Sequence, residues 1–411
     1  MGKSAQQAKQ GFSADRLRRI DRFIDEKYVA TGRLPCAQLV IARRGEVVHE
    51  TVLGKRDLER GLPAEADTLY RIYSMTKPIT SVAFMMLVEE GKVALDDPVE
   101  RYIPAWKDLG VYAAGSLGAF ATTRPARAMQ VVDLLRHTSG LTYGFQNRTM
   151  VDHAYRKTGV GGTDSGLDLD GFIAELAKLP LEFSPGEAWN YSVSTDVLGY
   201  LVQKISGQPF QDFLTQRIFE PLGMTETGFT VPAGQEGRFA ACYNITPKGG
   251  LKLQDDPQAS AYLAPPTFYS GGGGLVSTAA DYLKFTQMLL NRGELGGRRL
   301  LAPKTLQLMT ANHLPGDADL TQMSRSLFSE STNAGVGFGL GFAVVIDPPK
   351  TLVPCSKGEF YWGGAASTAF WVDPVEELTV VFMTQAMPSS VYPIRRELRT
   401  LVYAALEATN G

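Results

Sequence analysis

Ser74 opens the string Ser-Met-Thr-Lys-Pro and is the only serine in the chain with a lysine three residues later. The apolar run from Ile79 to Val88, closed by Gly91 as a C-cap, predicts a helix that is apolar nearly all round and therefore buried. Positions i and i+3 share a helix face, so the Ser74 hydroxyl and the Lys77 amino group can meet. Free N–H groups and the macrodipole at a helix N-terminus favour negative charge developing on a serine placed there. A lysine withdrawn from water is biased to its neutral form, and a neutral lysine can take the serine proton. The two residues read as nucleophile and base. The bland alternative is a capping serine beside a surface lysine, and a buried helix leaves that lysine no surface.

Two further segments belong with this pair. Trp189-Asn190-Tyr191-Ser192-Val193 follows the turn-like Ser184-Pro185-Gly186, and Tyr361-Trp362-Gly363-Gly364-Ala365-Ala366-Ser367-Thr368 stands just before a strand-like run. In order and spacing the three strings resemble the S-x-x-K, Y-x-N and K-T-G elements of the penicillin-recognising serine enzymes. The nearest resemblance is to the family VIII carboxylesterases, which share the class C β-lactamase fold. Leu134 to Leu141 (LLRHTSGL), Gly271 to Asp281 (GGGGLVSTAAD) and Phe370 to Pro374 (FWVDP) also resemble that family, so the likeness runs from about residue 15 to 405.

The resemblance implies an acylated Ser74, a base at Lys77 and a proton-shuttling phenol at Tyr191. It implies an oxyanion hole from the backbone N–H groups of Ser74 and Ala365; each such donor is worth about 2.7–4 kcal/mol of barrier. Gly363 and Gly364 would let the strand backbone approach the substrate. Tyr143 stands where the family often places a pocket aromatic, and reads equally as pocket wall or core.

Two positions depart from the β-lactamase pattern. Val193 replaces an asparagine, and Trp362 replaces the cation of the K-T-G triplet. With both as substrate-contacting residues, the expected substrates are neutral short-chain acyl esters, hydrolysed through an acyl-enzyme. The alternatives are a β-lactamase with weak cephalosporin turnover and an acyltransferase using the same acyl-enzyme. No cofactor or metal is implied.

The elements that must position these residues come from both chain ends. Ser13 can cap a helix carrying Leu17, Ile20, Phe23, Ile24 and Tyr28 at helical spacing. AQLVIARRGEVVHETVLG reads as a hairpin around Arg44-Gly45. Near the other end, GLGFAVVI, STAFWVDP and ELTVVFMTQ read as strands, and Pro393 opens a helix through Leu406. Helical patterns and Gly- and Pro-rich loops fill the middle. The expected class is α+β and β-lactamase-like: an antiparallel sheet flanked by N- and C-terminal helices, with a mainly helical insertion. The sheet domain would comprise 1–75 and 291–411, the helical domain 76–290, with the site at their interface. The stretch from Trp106 to Thr123 reads as a loop.

Composition bounds the remainder. A chain of 411 residues with 44% hydrophobic and 20% charged residues can bury a large core. A net charge of −2 offers no footprint for nucleic acid or a membrane surface. Three scattered cysteines, no apolar leader and no long apolar span fit a cytoplasmic protein. The partner is then a small-molecule ester, and oligomeric state is not legible. No serine has glycine at both −2 and +2, so an α/β-hydrolase elbow is missing. His137 reads as a structural histidine at a helix end, Gly271 to Gly274 as tight backbone packing, Trp189 as packing beneath Tyr191, and Cys355 as structural.

Overall fold

Arg44 and Gly45 both adopt positive φ, 52° and 78°, the I′-type pattern whose twist suits a two-residue hairpin. They join β1 (Cys36–Arg43) to β2 (Glu46–Asp57), which continues to the short β3 (Leu62–Pro63). The computed structural model describes residues 7–8, 10–162, 165–325 and 333–410. Toward the C-terminus come β4 (Val336–Phe338), β5 (Ala343–Val345), β6 (Phe360–Gly363), β7 (Ala369–Asp373) and β8 (Leu378–Met383). The eight strands form one sheet in the order β4-β5-β6-β7-β8-β1-β2-β3, with every neighbouring pair antiparallel. The two chain ends meet at its centre, where Leu39 pairs with Phe382 and Val40 with Val381. Of the expected strand GLGFAVVI only Ala343–Val345 is extended, as β5; its glycine-containing start, Gly339 to Phe342, forms the connection from β4.

Side chains alternate across a strand, and this sheet uses both faces. Leu39, Ile41, Trp371, Val380 and Phe382 pack with Leu17, Ile20 and Ile24 of α1 (Ala14–Ile24) and Leu398 and Val402 of a C-terminal helix, Ile394–Ala405. The intervening Val40, Ala42, Phe370, Val372 and Val381 join a second core with α2 (Thr76–Glu89), α3 (Ser194–Ser206) and α4 (Ala279–Leu290). A strand buried on both sides loses its apolar–polar alternation, which is why β1 and β8 are apolar almost throughout. α4 lies on the sheet itself, with its Tyr282 ring against Phe370 at 5.2 Å. Ser13 occupies the N-cap position of α1 without a side-chain cap; its N–H instead donates to the Ala405 carbonyl, tying the two terminal helices together.

α2 is buried on every side from Thr76 to Leu87, as its composition requires, and Gly91 follows with φ 67°. Within 106–123, Val111–Ala114 and Ala121–Thr123 pair as a small hairpin, so this stretch is more ordered than a loop. No helix among the described residues is long and apolar enough to cross a membrane.

The double-sided burial makes a direct prediction. Phe382 is fully buried at the sheet centre, so Phe382→Ala should cost about 3–5 kcal/mol, read as a lower midpoint of urea unfolding. Val47, 41% exposed on β2, should change stability by no more than about 0.5 kcal/mol when replaced by alanine.

Candidate active site

The chain enters α2 through a tight turn. Tyr73 has φ 43°, a left-handed conformation that costs a β-carbon-bearing residue energy, and Ser74 follows within the 3-10 turn Tyr73–Met75. The turn is held from several sides. Tyr70–Arg71 pairs with Val276–Ser277, Tyr282 donates its hydroxyl proton to the Met75 carbonyl at 2.9 Å, and the Leu275 N–H donates to Thr76 Oγ1 at 3.2 Å.

One helical turn brings Lys77 beneath Ser74. Lys77 is 2% exposed, and its Nζ donates to the Gly272 carbonyl at 2.7 Å and to the Tyr143 hydroxyl at 2.9 Å. Ser74 Oγ lies 3.4 Å from Nζ. Tyr191 comes closer still, with its hydroxyl 2.6 Å from Ser74 Oγ. Lys77 Nζ also sits over the Tyr191 ring, 4.5 Å from its centre.

Tyr191 is aimed by the loop 137–142. The Asn190 N–H donates to the His137 carbonyl at 2.9 Å and the Val193 N–H to the Thr142 carbonyl at 3.2 Å. Ser139, Ser194 and Ser192 form a ladder of hydroxyls at 2.7 Å spacings, ending at His137 Nδ1. Asp133 anchors the loop by binding Thr138, Arg127 and Arg136. Its carboxyl lies below the ordinary range because these partners and a backbone N–H outweigh its burial. His137 packs against Tyr191, Trp189 and Phe338. Burial, reinforced by the charge of Lys77, holds its pKa well below the usual value, so it stays neutral. It therefore behaves as the structural histidine that the sequence suggests. Trp189 stacks on Tyr191 at 15°, as its position implies.

The edge of β6 faces this cluster. Ser74, Tyr143, Tyr191, Trp362, Gly363, Gly364 and Ala365 line one cavity of about 960 Å³. A β-carbon on Gly364 would lie 2.4 Å from the Ile72 carbonyl oxygen and 2.3 Å from Thr368 Oγ1, so only glycine lets the strand edge reach the Ser74 turn. Trp362 contributes an indole wall beside Tyr191 and Phe338. Tyr143 resolves into both of its expected roles and a third, since it is buried, borders the cavity and binds Lys77.

Val193 corrects the sequence reading. It is fully buried at the N-cap of α3 and is not part of the cavity lining; its side chain lies under the backbone of Gly161, which does line it. The helix starts at Ser194, so the backbone turns this position inward.

Two residues were invisible in the motifs. Asp196, in the first turn of α3, is buried beside Tyr143 and Gly272. A lone acid standing immediately before the apolar stretch Val197–Val202 is a signal for it. Arg395, at the start of the C-terminal helix, borders the cavity and donates to the Gly364 and Thr368 carbonyls at 2.6 and 2.8 Å. No local pattern marks it.

A hydroxyl with an amine and a phenol within 3.4 Å can lose its proton as it attacks an electrophile. Ser74 and Ala365 border the same cavity.

Residues 20–404 match the Beta-lactamase family. Protein Rv1367c of Mycobacterium tuberculosis is 39% identical over 363 residues, 87% of each chain. Esterase EstB of Burkholderia gladioli is 31% identical over 405 residues, covering 94% of this chain and 95% of its own. Among solved structures, EstCE1, described as a hydrolase with promiscuous acyltransferase activity, is 27% identical with a TM-score of 0.78, covering 96% of this chain and 98% of its own.

The contact at Gly364 sets a test of this geometry. Gly364→Ala should push β6 away from the Ser74 turn and slow covalent labelling of Ser74 by a fluorophosphonate probe at least about 10-fold, since displacements near 1 Å cost up to about 100-fold. Labelling at the unchanged rate would show that the strand edge does not contribute.

Proposed function

The chain belongs to the Beta-lactamase family, grouping there with the family VIII carboxylesterases, and from this premise we propose how its residues divide the work of ester hydrolysis. The enzyme is a serine carboxylesterase. The observation that supports the assignment most is the triangle at Ser74 Oγ, with the Tyr191 hydroxyl at 2.6 Å and Lys77 Nζ at 3.4 Å, open to a cavity that admits a small molecule.

In the proposed mechanism Ser74 Oγ attacks the ester carbonyl carbon while its proton passes to the neutral amine of Lys77, directly or through Tyr191. The carbonyl oxygen becomes an oxyanion held by the Ser74 and Ala365 N–H groups. As the tetrahedral intermediate collapses, the C–O bond to the alcohol breaks and Tyr191 delivers the proton to the departing oxygen. Water then attacks the acyl-enzyme, giving its proton to the same pair. The carboxylic acid leaves, and Ser74 recovers its proton.

Trp362 gives the cavity an apolar wall where the β-lactamase pattern has a cation, which supports neutral short acyl groups as substrates. The volume exceeds what such an acyl group needs, so a bulky alcohol portion also fits. Positive charge is present elsewhere in the lining, at Arg395, Arg396 and Arg399. Each is engaged: Arg395 on the strand carbonyls, Arg396 on the Leu352 carbonyl at 3.3 Å and Arg399 on Glu359 at 2.7 Å. A β-lactam carboxylate therefore meets no dedicated partner at position 362. Acyl transfer to an alcohol is the second reading, favoured by the promiscuous acyltransferase activity of EstCE1. It is separable by adding an alcohol acceptor and quantifying ester product against free acid. We place the enzyme in the cytoplasm, where its three free cysteines would stay reduced.

Ser74→Ala should abolish both turnover and the acyl-enzyme mass increment on intact-protein spectra. Lys77→Ala and Tyr191→Phe should each lower kcat by about 10²–10⁴-fold. A Tyr191→Phe enzyme with normal kcat on an ester of a poorly departing alcohol would remove that residue from the mechanism.

For substrate class, kcat/KM for a butyrate ester should exceed that for a cephalosporin by at least about 100-fold, the value of one or two missing polar contacts. Equal values on one enzyme preparation would make β-lactam hydrolysis the better description.

A further inference from the structure

Asp196 carries a carboxyl group wholly inside the protein, and among the described residues no lysine or arginine touches it directly. Its Oδ1 accepts from Ser270 Oγ at 2.5 Å and from the Gly272 N–H at 2.9 Å, and its Oδ2 accepts from the Tyr143 hydroxyl at 3.5 Å. Two of these three donors are also partners of Lys77, which donates to the Tyr143 oxygen and to the Gly272 carbonyl. Tyr143 and Gly272 thus stand between a buried acid and a buried base and bond to both. The space is fitted to them. A β-carbon on Gly272 would fall 2.5 Å from Asp196 Oδ2 and 2.8 Å from the Tyr143 hydroxyl, so the absence of a side chain there is a condition of the arrangement.

We propose that Asp196 is a positioning residue for Lys77: through Tyr143 and Gly272 it aims Nζ at Ser74, and it supplies the negative charge that balances the ammonium formed when the serine proton arrives. The inference rests on Lys77 being the base. The titratable groups facing Lys77 are Tyr143, Tyr191, His137 and Asp196. His137 is neutral, and burial with the neighbouring carboxyl pushes Tyr143 far above its ordinary value, so Asp196 is the group among them that can supply negative charge. Burial holds the Asp196 carboxyl above its ordinary range, and the charge of Lys77, the Ser270 hydroxyl and the Gly272 N–H offset this only in part. A buried charge with no compensation is costly, so the ammonium that forms on Lys77 as the serine proton arrives gains from a carboxylate held beside it.

The test is the pH profile of kcat/KM for a soluble ester. Asp196→Asn keeps the shape and removes the charge. Without that charge the neutral amine forms at lower pH, so the acid limb should move down by about one pH unit, the smaller end of the effect of an opposite charge. The plateau kcat should fall by up to about 100-fold as Nζ loses its aim, with KM within about twofold. Tyr143→Phe should move the limb in the same direction by less, and the double variant should move it no further than Asp196→Asn does. A folded Asp196→Asn enzyme whose acid limb coincides with the parent's overturns the proposal. Should that variant not fold, Tyr143→Phe decides, and an unmoved limb there overturns it equally. Lys77→Ala separates the two levels. If it still acylates at the parent rate, the base assignment fails and the proposal with it. If it is inactive while the Asp196→Asn limb is unmoved, only the role of Asp196 is lost.

Discussion

A lysine amino group shut away from water must be answered by the protein, and Lys77 imposes that demand on everything near it. A buried ammonium without partners costs several kcal/mol, more than most single contacts return. The Gly272 carbonyl, the Tyr143 hydroxyl and the face of Tyr191 meet the demand. Each comes from a different stretch of chain, so the surrounding architecture can be read as what is needed to hold three remote groups around one nitrogen. The glycine segment 271–274 reaches Lys77 because Val276–Ser277 pairs beside Tyr70–Arg71 and because Thr80 Oγ1 donates to the Gly271 carbonyl at 2.8 Å. The same pairing fixes the turn that carries Ser74, so nucleophile and base share one frame.

Rigidity then passes outward through packing. α2 is enclosed on all sides, and a helix without a solvent face cannot roll to present Lys77 differently. The sheet serves the opposite wall. Its β6 edge reaches the Ser74 turn only because Gly363 and Gly364 leave room, one for the Arg395 guanidinium and the other for the Ile72 carbonyl. Arg395 returns two hydrogen bonds to this edge, so the C-terminal helix steadies the strand that borders the cavity.

How much of this was legible depends on how local each signal is. Ser74 and Lys77 are three residues apart where a tight turn runs into α2, and such spacing is visible in any sequence. The strands and terminal helices were legible because burial leaves a periodic imprint, although the glycine-containing connection before β5 was read into the same apolar run. Tyr191, Trp362 and Ala365 were found through ordered strings, and the structure brings them around one cavity. Val193 was misplaced because a string gives order and not direction, and the start of α3 turns that side chain away from the cavity. Asp196 and Arg395 escaped because their significance lies in tertiary contacts, to Gly272 and to Gly364, far away in the chain. No repeating pattern encodes a single long-range hydrogen bond.

The pairing of β1 with β8 has a consequence for synthesis on the ribosome. Leu39 emerges early and Phe382 among the last residues, yet they are neighbours at the sheet centre. The N-terminal hairpin must wait with one long edge unpaired while the intervening chain is made, and an unpaired apolar edge invites association with other chains. The helical elements between residues 76 and 290, rich in local contacts, can form during that interval. Closure of the sheet over a long sequence separation comes last and is slow by its topology. A nascent chain halted shortly before residue 378 would carry Ser74, Lys77 and Tyr191 but no β8 to seat the first strand, and would be a substrate for chaperones before it could be an enzyme.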